Sequence, residues 1–129
     1  MATWDDVAGI VAELPLTAEP SPRDWRVGKK LMVWERPLRR PDREAFTAAG
    51  SHPPTGDIIG VRVADEGVKC ALIADQPEVY FTTPHFDGYS AVLVRLAKIP
   101  VADLRELITE AWLVQAPRHL VKEFLRETR

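Results

Sequence analysis

The chain has a single cysteine, Cys70. One thiol excludes a disulfide framework and any zinc site built on several cysteines. Cys70 lies in the apolar run Cys70-Ala71-Leu72-Ile73-Ala74, which predicts a buried thiol. No apolar run reaches the roughly 18 residues that a membrane-spanning helix needs, so no membrane partner is expected. No basic residue precedes Arg23, the opposite of a secretory signal, and the expected compartment is the cytoplasm. The chain also lacks a glycine-rich dinucleotide fingerprint, a phosphate-binding P-loop and a G-x-S-x-G nucleophile elbow. The three histidines, His52, His85 and His119, stand far apart, and no pair has the spacing with which one helix chelates a metal. No pair of carboxylates stands out as a general acid and base. These absences lead to the expectation of a protein that is not an enzyme and uses no metal or cofactor.

What is present is enough apolar sequence for one core: 46% hydrophobic and 28% charged residues over 129 positions, the size of a single domain spanning residues 1–129. Eleven scattered prolines predict many short elements with sharp stops. Thr3 is a good N-cap, Asp6 can answer it, and Val7, Ile10, Val11 and Leu14 share one face, so residues 3–14 read as a helix ended by Pro15. Pro20 and Pro22 then predict an extended connection. Residues 23–36 alternate as two strands around Gly28-Lys29-Lys30. A short helix over 41–50 stops at Gly50. Strands are expected over 58–64, 78–82 and 91–96, with a helix over 65–74. Helices at 101–116 and 118–126, separated by Pro117, close the chain, and Trp112 falls on the apolar face of the first. About five short strands joined by tight turns predict an α+β fold: an antiparallel sheet with the N-terminal and C-terminal helices packed on one side.

Charge is unevenly spread. The net charge is −2, yet Arg23, Arg26, Lys29, Lys30, Arg36, Arg39, Arg40 and Arg43 crowd one segment against Asp24, Glu35 and Asp42. This +5 stretch can meet phosphate or an acidic partner, or it can be a solvated rim that balances acidic neighbours. The first reading predicts weak, sequence-independent DNA contact through Arg36, Arg39, Arg40 and Arg43, whose joint replacement by alanine abolishes binding without unfolding the chain. Within the segment, Trp25-Arg26-Val27-Gly28-Lys29-Lys30-Leu31-Met32-Val33-Trp34 is dense in aromatic and basic residues. Its tryptophans are packing that the basic stems run past, or a platform for a planar group.

The stretch Thr82-Thr83-Pro84-His85-Phe86-Asp87-Gly88-Tyr89 holds hydroxyls, an imidazole, a carboxylate and two aromatics. It is a structural turn or the lining of a ligand site. In the second case the ligand residues are Trp25, Arg26, Lys30, Trp34, His85 and Tyr89, with His85 at the mouth of the main cleft, within reach of Arg26 or Trp34. The ligand would be a small molecule or a protein.

These two stretches, the Leu14-Pro15 end of the first helix, the strand Val92-Leu93-Val94-Arg95-Leu96 and the closing Glu110-Ala111-Trp112-Leu113 with Pro117 together resemble the MmcQ/YjbR family of small bacterial proteins. The resemblance covers nearly the whole chain. It implies an α+β domain similar to the CyaY or frataxin-like arrangement, and a family commonly labelled DNA-binding. Frataxin-like folds that bind iron use an acidic helix ridge, and Asp5, Asp6 and Glu13 are too few to copy it.

Overall fold

The computed structural model describes residues 2–127; Met1, Thr128 and Arg129 lie outside the described residues. Thr3 accepts from the Asp6 amide at 3.2 Å while the Asp6 carboxylate accepts from the Thr3 amide at 2.9 Å. This reciprocal cap starts α1 (Trp4–Ala12), which buries Val7, Ile10 and Val11. The chain then turns through Leu16, with φ at 61°, and the Thr17 hydroxyl donates to the carbonyls of Val11 and Leu14.

The extended connection expected at Pro20 and Pro22 is in part a paired strand, β1 (Thr17–Ser21), antiparallel to β2 (Asp24–Val27). Pro20 fits because β1 is the edge of the sheet, where a missing N–H breaks no inner ladder. Next comes β3 (Lys30–Glu35), joined to β2 by a turn in which Gly28 holds a φ of 61°. α2 (Arg40–Ala48) leads to β4 (Ile58–Arg62), and α3 (Glu66–Asp75), capped by Asp65, to β5 (Tyr80–Phe81). The expected strand over 78–82 is thus only two residues long. A single 3-10 turn, Pro84–Phe86, precedes β6 (Ala91–Arg95). α4 (Val101–Gln115) and α5 (Arg118–Glu127) follow. Among the described residues the architecture is α+β: one six-stranded antiparallel sheet, in the order β1-β2-β3-β4-β6-β5, with five α-helices. Among the described residues no helix is long and apolar enough to cross a membrane.

The sheet is covered on both faces. α1 and α4 pack on one, as expected, around Val33, Ile59, Val61, Val92, Val94 and the fully buried Trp112, whose indole N–H donates to the Pro15 carbonyl at 2.8 Å. Leu120, Val121 and Phe124 of α5 pack against the same cluster. Strand alternation sends Ile58 and Leu93 to the opposite face, where they meet Leu38 and Phe86 in a smaller cluster.

Cys70 is exposed, contrary to the expectation drawn from its apolar neighbours. α3 turns Lys69 inward and half-buries Leu72 and Ile73, so position 70, one step of about 100° beyond Lys69, faces solvent.

Candidate functional site

The smaller face carries the site. Trp34 on β3 stands opposite Gly60 on β4, and the indole lies against that glycine so closely that a Cβ there would come within 2.4 Å of the ring. The missing side chain of Gly60 is therefore what lets the tryptophan lie flat on the sheet. Phe86 follows at 6.4 Å from Trp34, Tyr89 at 6.1 Å from Phe86, and His85 meets the Phe86 ring edge-on at 5.0 Å. A cleft of about 380 Å³ opens between these rings and the Glu35–Arg39 segment.

Two buried cations shape its walls. Lys69 reaches from α3 and donates to the carbonyls of Phe86 at 2.7 Å and Tyr89 at 3.0 Å, fixing the 84–89 loop from beneath. Arg36, 5% exposed, pairs with Asp42, 3% exposed, at 3.0 Å, and lies 5.2 Å from the Phe86 ring centre. Burial pushes the Asp42 carboxyl up, but the Arg39 amide that donates to it and the charge of Arg36 outweigh burial and hold it below the ordinary carboxylate value. Arg62 flanks the loop, with its guanidinium 4.6 Å from the Tyr89 ring centre and a 2.8 Å hydrogen bond to the Tyr89 hydroxyl.

The structure separates the expected ligand residues. Trp34, His85 and Tyr89 line the cleft together. Trp25 does not: it is buried on the helical face and stacks on Trp4 at 6.3 Å. The hairpin register explains this, since Trp34 pairs with Asp24, so Trp25 falls on the other side. Arg26 shares the face of Trp34 but is held by Asp24 at 2.8 Å and the Lys29 carbonyl at 3.1 Å, and does not line the cleft. Lys30 is exposed at the start of β3, also outside it. His85 thus shares its cleft with Trp34 and not with Arg26; it is exposed and makes no hydrogen bond within the described residues.

The basic set divides as well. Arg39 lines the cleft, while Arg40 and Arg43 border a separate shallow depression beside α2, where Arg40 pairs with Glu44 at 3.0 Å. Arg36 is withdrawn from solvent by Asp42, so it cannot reach a phosphate, and replacing all four arginines together would also break this buried pair.

A second groove, of about 360 Å³, lies between α3 and α4 and was not read from the sequence. The one legible signal for it is a second stripe on α4, Asp103, Glu106, Glu110 and Val114, at helical spacing beside the core stripe to which Leu107 belongs. Tyr80 lines this groove, its pKa raised by burial first and then by Asp103, Glu106 and Asp75.

Among known proteins, uncharacterized protein Rv2570 of Mycobacterium tuberculosis and uncharacterized protein Mb2600 of Mycobacterium bovis are each 76% identical to the chain over 125 residues, 97% of either sequence. The crystal structure of Deinococcus radiodurans protein DR2400, of the DUF419 family, superposes with a TM-score of 0.65 at 19% identity, covering 98% of this chain and 88% of that one, a likeness of fold. The YjbR family model matches residues 12–114, the span that runs from the end of α1 through both faces of the sheet to the last turn of α4, and the chain belongs to the YjbR family.

Proposed function

We propose that the chain is a non-enzymatic binding domain that holds a small planar anion in the cleft between β3 and the 84–89 loop. The observation that carries this reading is the run of contiguous rings, Trp34, Phe86, His85 and Tyr89, beside the exposed guanidinium of Arg39. Aromatic faces stack on a planar ligand, and Arg39, with no ion pair among the described residues, answers its negative charge. The two other charged residues that line the cleft are paired within the protein, Glu35 with Arg23 at 3.0 Å and Arg36 with Asp42. Titration with adenosine monophosphate, followed by amide chemical shifts, tests it. Saturable shifts at Trp34, Arg39 and His85, with at least tenfold weaker binding of uncharged adenosine, are expected. Binding that survives both Arg39→Ala and Trp34→Phe would refute the reading.

A second reading, weak and sequence-independent nucleic-acid contact, draws on Arg39, Arg40 and Arg43, all exposed around the first turn of α2. With Arg36 withdrawn, three phosphate contacts give a slope of log K against log salt of about −3. Fluorescence anisotropy of a labelled 20-base-pair duplex across a salt series measures that slope, and tight binding at physiological salt would overturn it.

A further inference from the structure

We propose that the groove between α3 and α4 binds a small organic cation, an ammonium group carried on an apolar body. Its floor is apolar, with Val63, Leu72 and Leu107 beneath and Val68 and Val114, 41% and 37% exposed, at its lips. These two are among the few large apolar side chains the protein leaves in solvent. Its volume is at the lower end of the range of small-molecule sites, which limits the occupant to a compact molecule.

Two independent observations set the charge and polarity of the occupant. The first is electrostatic. Asp103, Glu106 and Glu110 lie at i, i+3 and i+7 on α4, all on the groove side, over a rise of about 10 Å. None has an ion-pair partner among the described residues. The basic residues of the two helices are engaged elsewhere: Arg105 of α4 pairs with Glu13 of α1, and Lys69 of α3 is buried under the 84–89 loop. The second is Tyr80. It is 4% exposed and lines the groove, yet its hydroxyl makes no hydrogen bond within the described residues. The ring is packed in the core, while the hydroxyl oxygen keeps contact with the open space of the groove. Here the open acceptor faces the cavity, and the carboxylates beside it also raise its pKa.

An ammonium group carries three donors and no acceptor, which matches a phenol oxygen and spaced carboxylates. No three acidic, histidine or cysteine side chains of the described residues stand close enough together to hold a metal ion, so spaced hydrogen bonds to an amine suit the set better than a coordination shell. The apolar body then covers Leu72, Leu107 and the exposed valines.

Phenethylammonium is the probe, followed by amide chemical shifts and calorimetry on the full chain, with benzyl alcohol as the uncharged control and phenylpropionate as the anionic one. Saturable shifts along Val68–Gln76 and Asp103–Val114 are expected, with at least tenfold weaker binding of both controls. Glu106→Gln with Glu110→Gln should weaken the amine at least tenfold, and both positions are exposed, so folding is preserved. Tyr80→Phe should weaken it several-fold at unchanged melting temperature, because no protein partner is lost. Arg39→Ala, in the other cleft, should leave amine binding as it is, which keeps this result separate from the planar-anion reading. Equal binding of benzyl alcohol, competition by equimolar calcium, or doubling of the sedimenting mass through Val68 and Val114 would each overturn the proposal, the last by showing a second copy in the groove. The absence of saturable shifts would do the same.

Discussion

The two faces of the sheet are built by different physics. On the helical face a large cluster from α1, α4 and α5 closes over the strands, and its stability comes from apolar burial around Trp112. On the other face four buried apolar side chains meet, and much of the shape is set by buried charge: Arg36 against Asp42, and Lys69 against two carbonyls. Apolar burial is non-directional and fills space. Buried charge is directional, fixes atoms and leaves room between them. The cleft belongs to the second kind of face.

Trp112→Ala should cost about 3–5 kcal/mol in chemical unfolding, as large-to-small core changes do, at every pH between 3 and 8. Arg36→Ala should cost about 3 kcal/mol near neutrality, because it leaves the Asp42 carboxylate buried without its cation. Its cost depends on pH. The pKa of Asp42 is lowered in the fold, so the stability it contributes is present above its ordinary value of 3.8 and is lost as pH falls through the folded value. As pH falls through that folded value the Arg36→Ala variant and the parent should therefore converge, while Trp112→Ala stays separate. Equal pH profiles for the two variants would erase the distinction between the faces.

Smaller changes sharpen it. Gly60→Ala should cost about 1–3 kcal/mol by pushing the Trp34 indole off the sheet, and should shift Trp34 and Phe86 resonances. Lys69→Met keeps the stem and removes the ammonium; a loss of about 1–3 kcal/mol and faster amide exchange across 84–90 are expected, since the Phe86 and Tyr89 carbonyls lose their donor. His85→Ala should move stability by less than about 0.5 kcal/mol, because the ring is exposed and makes no hydrogen bond, while weakening any ligand of the cleft. A larger destabilisation would make His85 a structural member of its loop.

The helical face was the more legible in the sequence. Thr3 and Asp6 are three residues apart in a local cap, Gly28 marks its own turn, and Trp112 sits on a stripe with Leu104 and Ile108; each signal is contained within one element. The other face depends on meetings between elements. Nothing local announces that Arg36, at the end of β3, will be buried by a carboxylate on α2, or that Lys69 will pass under a loop some twenty residues later. Trp25 and Trp34 read as one aromatic cluster in sequence, but a hairpin pairs Trp34 with Asp24 and so parts the two rings. Cys70 misled for a related reason: an apolar run on a helix still points in every direction around its axis. The groove between α3 and α4 needs two helices brought together by the sheet, and only the α4 half of it is a pattern in the chain.

The edge position of Pro20 has a further consequence for how the protein behaves in a crowded solution. An open sheet has two rims, and an unprotected rim recruits strands from other molecules. On one rim Pro20 removes a donor, and the register of β1 slips between Ala18 and Ser21. On the other, β5 is only two residues long, too short to template a partner. Both rims are thus blunted against growth of the sheet. Restoring the donor with Pro20→Val would leave only the register slip to guard that rim, and slow fibrillation detected by thioflavin fluorescence is the outcome that change should produce.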